Sequence, residues 1–281
     1  MIELCPHLAE CLGNGEDPFD AVLRLEGEVF REHKHRRTLR VELDGRAYFV
    51  KIHGNTSSME ILKHAALVRW PVLTAQNERD AIRRLDALGV PTTRIAGYGC
   101  RGTSPSRLES FIITDALDET TSLDELVRDW GGLRGHDRVR LRRTLLRKVA
   151  AIARNLHKNG LNHRDFYLCH FLVPDRDWST WREGDPLDVH VIDLHRAQVR
   201  SIVPERWVVK DLGGLLFSSL DAGLTGRDYL RFLSVYFGRP WREVVARRSR
   251  FFRRIVKRAV KVYRSEHGTD PQLPASLASY A

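Results

Sequence analysis

One run narrows the possible folds of this 281-residue chain more than any other: Asn162-His163-Arg164-Asp165-Phe166-Tyr167-Leu168-Cys169-His170-Phe171-Leu172. An H-R-D followed by apolar residues is the shape of a loop built for phosphoryl transfer. In such a loop the Asp accepts the proton of an attacking hydroxyl, and a polar residue five positions later reaches metal. A tripeptide recurs by chance, so the meaning of this one depends on what stands before and after it.

Upstream, Arg36-Arg37-Thr38-Leu39-Arg40-Val41-Glu42-Leu43 alternates polar with apolar residues, as a half-buried strand does. Asp44-Gly45 predicts a tight hairpin, because both residues tolerate positive φ. Ala47-Tyr48-Phe49-Val50-Lys51-Ile52 is the return strand, and with a strand around Val29-Phe30 it puts Lys51 on the third strand of an antiparallel sheet. A short helix is expected from Met59 to Val68, and a longer one from Ala75 to Leu88, stopped by Gly89. Val90 to Tyr98 and Ser110 to Thr114 complete about five strands. The remainder is mainly helical. Ser122 and Glu125 have capping-box spacing, Val139 to His157 is a long amphipathic helix leading into the H-R-D run, and Val189 to Asp193 is a short strand after it.

This order fits an α+β, bilobal protein-kinase-like fold. Residues 1–115 would form an N-terminal antiparallel sheet lobe with one main helix, which binds nucleotide. Residues 116–281 would form a mainly helical C-terminal catalytic and substrate lobe. Each charge that phosphoryl transfer needs has a candidate. Lys51 suits the strand lysine on the nucleotide phosphates, and Glu78 on the following helix is its expected partner, with Glu60 as the alternative. Asp165 is the expected base, and Asp193 stands where a magnesium-binding Asp belongs. His170 occupies the slot most kinases give to Asn, where it binds metal, orients Asp165 or packs structurally. No G-x-G-x-x-G precedes Lys51. The turn Glu32-His33-Lys34-His35-Arg36-Arg37 is cationic instead, and Arg36 and Arg37 are expected to hold phosphates. Taken singly, each residue has a bland explanation as a surface charge or a turn cap. Their shared order removes most of that blandness.

Composition sets the remaining bounds. A hydrophobic share of 42% and a charged share of 29% describe a chain that folds, and a net charge of +10 points to an anionic partner. The four cysteines, Cys5, Cys11, Cys100 and Cys169, form no C-x-x-C pair, which argues against a zinc ribbon and for a reducing compartment. No leader pattern and no apolar run approaching ~20 residues stands in the sequence. Arg247 to Arg258, continuing to Tyr263 without an acidic residue, is a basic amphipathic stretch whose Phe252, Ile255 and Val256 could face a membrane surface, an acidic protein or simply the core.

The block from Asn162 to Leu172, Val191-Ile192-Asp193-Leu194-His195-Arg196-Ala197-Gln198, Arg36 to Arg40, Tyr48 to His53 and Lys210-Asp211-Leu212 together resemble the lipopolysaccharide core heptose(I) kinases, the WaaP (RfaP) family. The resemblance spans about Asp17 to Tyr263. It implies an ATP- and Mg2+-dependent transferase acting on a heptose of the inner core of nascent lipopolysaccharide. It also implies a Gram-negative cytoplasm, with peripheral contact at the inner face of the inner membrane. By position, Asp165 is the base, Lys51 contacts ATP with Glu78, and His170 and Asp193 lie at the metal. His163 and Asp211 are expected to support the loop. An acidic partner such as acyl carrier protein fits the charge. Nucleic acid is not expected, since no recognition motif for it is present. Two rivals stay open: the same chemistry on a second heptose, a Kdo sugar or a small-molecule hydroxyl, and a non-catalytic pseudokinase scaffold.

Overall fold

In the computed structural model, which describes residues 1–13, 15–33, 36–55 and 74–280, the N-terminal half is built on one six-stranded antiparallel sheet. Its strands are β1 (Ile2–Leu4), β2 (Glu28–His33), β3 (Arg36–Leu43), β4 (Arg46–His53), β5 (Ile95–Arg101) and β6 (Glu109–Asp115), in the order β1-β5-β6-β4-β3-β2. The predicted Asp44-Gly45 hairpin forms: both residues have positive φ, 46° and 72°, and Leu43 pairs with Arg46 across a two-residue loop. That register continues to Thr38 opposite Lys51 and Arg36 opposite His53.

The sheet differs from the expectation at two places. β1 adds a strand beside β5, so Lys51 lies on the fourth strand of the chain rather than the third. The strand predicted from Val90 starts only at Ile95. Two short helices also precede β2. Pro6–Leu12 packs Leu8 and Leu12 inward, and Pro18–Leu23 is capped by Asp17, whose carboxylate accepts the Phe19 amide at 2.7 Å. Leu8, Phe19 and Val22 join Leu39, Val41, Val50, Phe111 and Ile113 in one apolar core, with the Phe19 and Phe111 rings 5.1 Å apart. The helix predicted from Ala75 spans Gln76–Ala87. The short helix expected from Met59 to Val68, and Glu60 within it, lie outside the described residues.

By packing, the chain divides into two compact units. The first comprises 1–83, 92–118 and 194–196, and the second comprises 84–91, 119–193 and 197–281. The second unit is mainly helical, so the architecture is α+β and protein-kinase-like. Ser122 and Glu125 make both halves of the capping box that starts helix Leu123–Asp129. Helix Gly135–Lys158 buries Leu141, Leu145, Val149, Ala153 and Leu156 at helical spacing. Gly160 then turns the chain at φ 80°, where a Cβ would meet the Arg200 carbonyl at 1.7 Å, so only glycine fits. Helix Ser249–His267 packs along helix Glu205–Ser219 and buries Phe251, Phe252, Ile255, Val256, Ala259 and Val260. Phe252, Ile255 and Val256 therefore face the core and not a membrane. Among the described residues no helix is long and apolar enough to cross a membrane.

Candidate active site

Leu161–Asn162 pairs with Gln198–Val199 as a two-residue ladder, and the chain leaves that ladder into His163-Arg164-Asp165. The loop cannot hold itself, because Arg164 sits in the left-handed region at φ 75°, which a non-glycine residue occupies only when its surroundings enforce it. Asp211, on helix Glu205–Ser219 and 0% exposed, does the enforcing. Its carboxylate accepts the amides of His163 and Arg164, each at 2.8 Å. It also meets His157 Nε2 at 3.2 Å, while His157 Nδ1 lies 2.8 Å from the Tyr236 hydroxyl. A His157 that donates from Nε2 to Asp211 and accepts from Tyr236 satisfies all of these groups. Burial pushes the Tyr236 phenol well up, which keeps it a donor.

His163 is fully buried. Its Nε2 donates to the Ile192 carbonyl at 3.0 Å and its Nδ1 faces the Asp165 amide at 3.4 Å. Burial lowers its pKa, consistent with that neutral tautomer. His170 stacks on His163, with ring centroids 5.7 Å apart and planes 11° apart. Its Nδ1 donates to the Asp165 carbonyl at 2.6 Å, and its Nε2 lies 3.5 Å from Asp193 Oδ2. Burial alone would depress this imidazole. Its hydrogen bonds to Cys169 and the Asp165 carbonyl, with the Asp193 charge, outweigh burial and hold it at about 9. The expected strand from Val189 to Asp193 shortens to His190–Val191. Asp193 itself turns left-handed at φ 58°, a conformation its short polar side chain tolerates better than most residues. The Asp165 carboxylate meets Lys210 Nζ, from helix Glu205–Ser219, at 3.7 Å.

In the first unit Lys51 Nζ pairs with Glu78 Oε1 at 2.6 Å. Glu78 is 3% exposed, and its second oxygen has no hydrogen-bond partner among the described residues. Directly opposed residues of an antiparallel pair share a face, so Arg36, Lys51 and His53 lie on one side of the sheet. Arg37, opposite Ile52, lies on the other. Only one of the two arginines expected to hold phosphates therefore shares a face with Lys51. Lys34 and His35 of the same turn lie outside the described residues. Buried His53, next to the Arg36, His195 and Lys51 charges, is pushed down to about 3, chiefly by burial, and stays neutral.

The structure thus brings Asp165, His170, Asp193, His163 and Asp211 together in the second unit, and Lys51 and Glu78 in the first. Sequence reasoning gave no role to Lys210, His157 or Tyr236. They reach the loop from other helices, and only the Lys210-Asp211 adjacency hinted at one of them. Two cavities lie elsewhere in the second unit. One, of about 370 Å³, is apolar and lined by residues such as Leu145, Leu216, Leu233, Trp241, Ile255 and Leu277. The other, of about 400 Å³, is ringed by Arg154, Lys158, Arg239, Arg247 and Arg248 with one acid, Glu243.

Residues 20–236 match the family model described as the lipopolysaccharide kinase (Kdo/WaaP) family. The chain is 46% identical over 256 residues to a lipopolysaccharide core heptose(I) kinase WaaP of Pseudomonas aeruginosa, covering 90% of this chain and 92% of that protein. It is 48% identical over 246 residues to the protein of the same description from Escherichia coli K12, covering 88% and 91%. A solved structure, described as WaaP in complex with acyl carrier protein, is similar with a TM-score of 0.78 at 42% identity, covering 94% of this chain and 99% of that one.

Proposed function

Because this chain belongs to the lipopolysaccharide kinase (Kdo/WaaP) family, and so to the ATP-dependent kinases, we propose that it moves the γ-phosphoryl group of ATP to a hydroxyl of heptose I in the lipopolysaccharide inner core. The observation that carries the catalytic part is the H-R-D loop, fixed by the buried Asp211 carboxylate, with Asp165 at its end. Asp165 takes the hydroxyl proton. Lys51, held by Glu78, places positive charge on the nucleotide phosphates, and Arg36, on the same face of the sheet, adds to it. His163 and Asp211 keep the loop in place. We assign residues 1–115 to nucleotide binding and 116–281 to catalysis and acceptor binding.

Magnesium fits the pair Asp193 and His170. The hydrogen bond from His170 Nδ1 to the Asp165 carbonyl fixes the ring, so Nε2 and Asp193 Oδ2 address a common point where a proton now serves and a cation could replace it. Among the described residues no third His, Cys, Asp or Glu joins them. Such a sparse donor set suits an ion that keeps waters and substrate phosphates as its other ligands. When bound, the ion would neutralise phosphate oxygens.

The partner we propose is acyl carrier protein, at the cytoplasmic face of the inner membrane. The exposed cations Arg250, Arg253 and Lys257 and the arginine-ringed cavity suit an acidic protein, and the apolar cavity has room for part of the acyl chain that such a carrier brings. Mass spectrometry of lipopolysaccharide core from cells with and without this protein tests the acceptor. Loss of one phosphate from heptose I is expected. An unchanged heptose I, with phosphate lost from a second heptose or a Kdo sugar, would move the proposal to that acceptor. Nucleotide binding without turnover would make the chain a scaffold.

A further inference from the structure

We propose that Lys210 is a further catalytic residue, supplying from a neighbouring helix the positive charge that the loop after Asp165 lacks. The proposal rests on the kinase reading above. From Phe166 to Leu172 the loop contains no lysine or arginine. The arginine that precedes the base, Arg164, has a left-handed backbone, and its guanidinium lies over the Trp207 ring at 4.9 Å. Lys210 lies on helix Glu205–Ser219, as Trp207 does. Its ammonium is 3.7 Å from Asp165 Oδ1 and 6.0 Å from the centroid of Trp207.

Two features separate this contact from an ordinary surface ion pair. First, Lys210 is followed directly by Asp211, whose carboxylate is tied to the His163 and Arg164 amides. The helix turn that grips the loop backbone therefore also fixes where Lys210 starts, and the two adjacent residues divide the work: Asp211 takes the amides and Lys210 takes the carboxylate. Second, the two side chains are 16% and 14% exposed, so water screens the ammonium far less than it would on an open surface. Asp211 already holds the loop backbone, so the task of the lysine is a separate one.

Transfer chemistry does give it one. The acceptor oxygen forms a bond to the γ-phosphorus, the bond to the β,γ-bridging oxygen breaks with its electron pair staying on ADP, and the hydroxyl proton passes to Asp165. Lys210 keeps its proton throughout. Its charge offsets the negative charge on the acceptor oxygen and the equatorial oxygens of the moving phosphoryl group, beside the carboxylate that collects the proton.

The test is steady-state kinetics with ATP and dephosphorylated core oligosaccharide, comparing the wild type, Lys210→Met and Lys210→Arg, each also with Asp165→Asn, alongside melting temperatures. Lys210→Met should lower kcat about 100-fold with the KM for ATP nearly unchanged, and Lys210→Arg should return to within about tenfold of the wild type. In the Asp165→Asn background Lys210→Met should lower the residual rate further, because the charge acts on the phosphoryl group itself. A Lys210→Met enzyme with wild-type kcat would overturn the proposal. So would the absence of further loss in the double variant, or equal inactivity of both Lys210 variants accompanied by early melting. A wild type that leaves the oligosaccharide unphosphorylated would instead remove the kinase reading on which it rests.

Discussion

The strand that carries Lys51 and the loop that carries Asp165 solve the same problem, placing one charged side chain, by opposite means. β4 is positioned by its ladder. Both neighbouring strands pair with it in continuous register, and Lys51 pairs with Glu78 across a side-chain contact. The loop has no ladder beyond Asn162 and runs through left-handed Arg164, so buried side chains replace it: Asp211 for two amides, His163 for the Ile192 carbonyl, and His170 for the Asp165 carbonyl. Regular backbone localises the consequence of a mutation, whereas a loop held by side chains spreads it.

The largest effect should come from Asp165, the proposed base. Asp165→Ala should lower kcat by about 10³-fold or more while leaving the melting temperature near that of the wild type, measured as phosphate transfer to core heptose. A rate within tenfold of the wild type would end the assignment. Next comes the brace. Asp211→Ala strips partners from two amides and from His157 inside the second unit. It should cost about 3 to 5 kcal/mol in denaturant unfolding and reduce transfer as well, so its damage spreads as the loop model requires. A variant that loses activity at full stability would contradict that model.

Lys51→Met tests the other side of the comparison. Its ladder is intact, so stability should fall by less than for Asp211→Ala, by about 1 to 3 kcal/mol for the partner taken from buried Glu78, while kcat/KM for ATP falls about 100-fold. A collapse of stability comparable with Asp211→Ala would erase the distinction between strand and loop. A fourth test uses acid. His53, at about 3 in the fold against 6.5 normally, takes up a proton on unfolding. Its contribution is complete above pH 6.5 and is lost as pH falls towards 3, because the unfolded chain binds the extra proton. His53→Gln should therefore flatten the decline in stability across that window, followed by urea unfolding at several pH values. The smallest effect is expected on the outer face of helix Ser249–His267. Arg253→Gln with Lys257→Gln should change stability by no more than about 0.5 kcal/mol yet weaken binding to acyl carrier protein, read by titration at low salt.

Much of this was legible in the chain itself. The hairpin was written in Asp44-Gly45, the capping box in Ser122 and Glu125, and the order of Lys51, Glu78, Asp165 and Asp193 in their spacing, because each depends on residues close in sequence or on a simple period. The strand period also held a warning. Arg36 and Arg37 are adjacent, so they cannot share a face, and only Arg36 accompanies Lys51. What was hidden lies between helices. Beyond the adjacency of Lys210 to Asp211, nothing local marks Lys210, His157 or Tyr236 as partners of the loop, since their contacts join residues tens of positions apart. Nor could the amphipathic face at Phe252, Ile255 and Val256 say whether a membrane or helix Glu205–Ser219 would cover it.

The two backbone protons that Asp211 holds also make a clock. They sit against a carboxylate with no exposed surface, so solvent deuterium reaches the His163 and Arg164 amides only when helix Glu205–Ser219 releases the loop. Their exchange times measure how often the catalytic loop comes undone in the resting protein, with no substrate, nucleotide or partner in the tube.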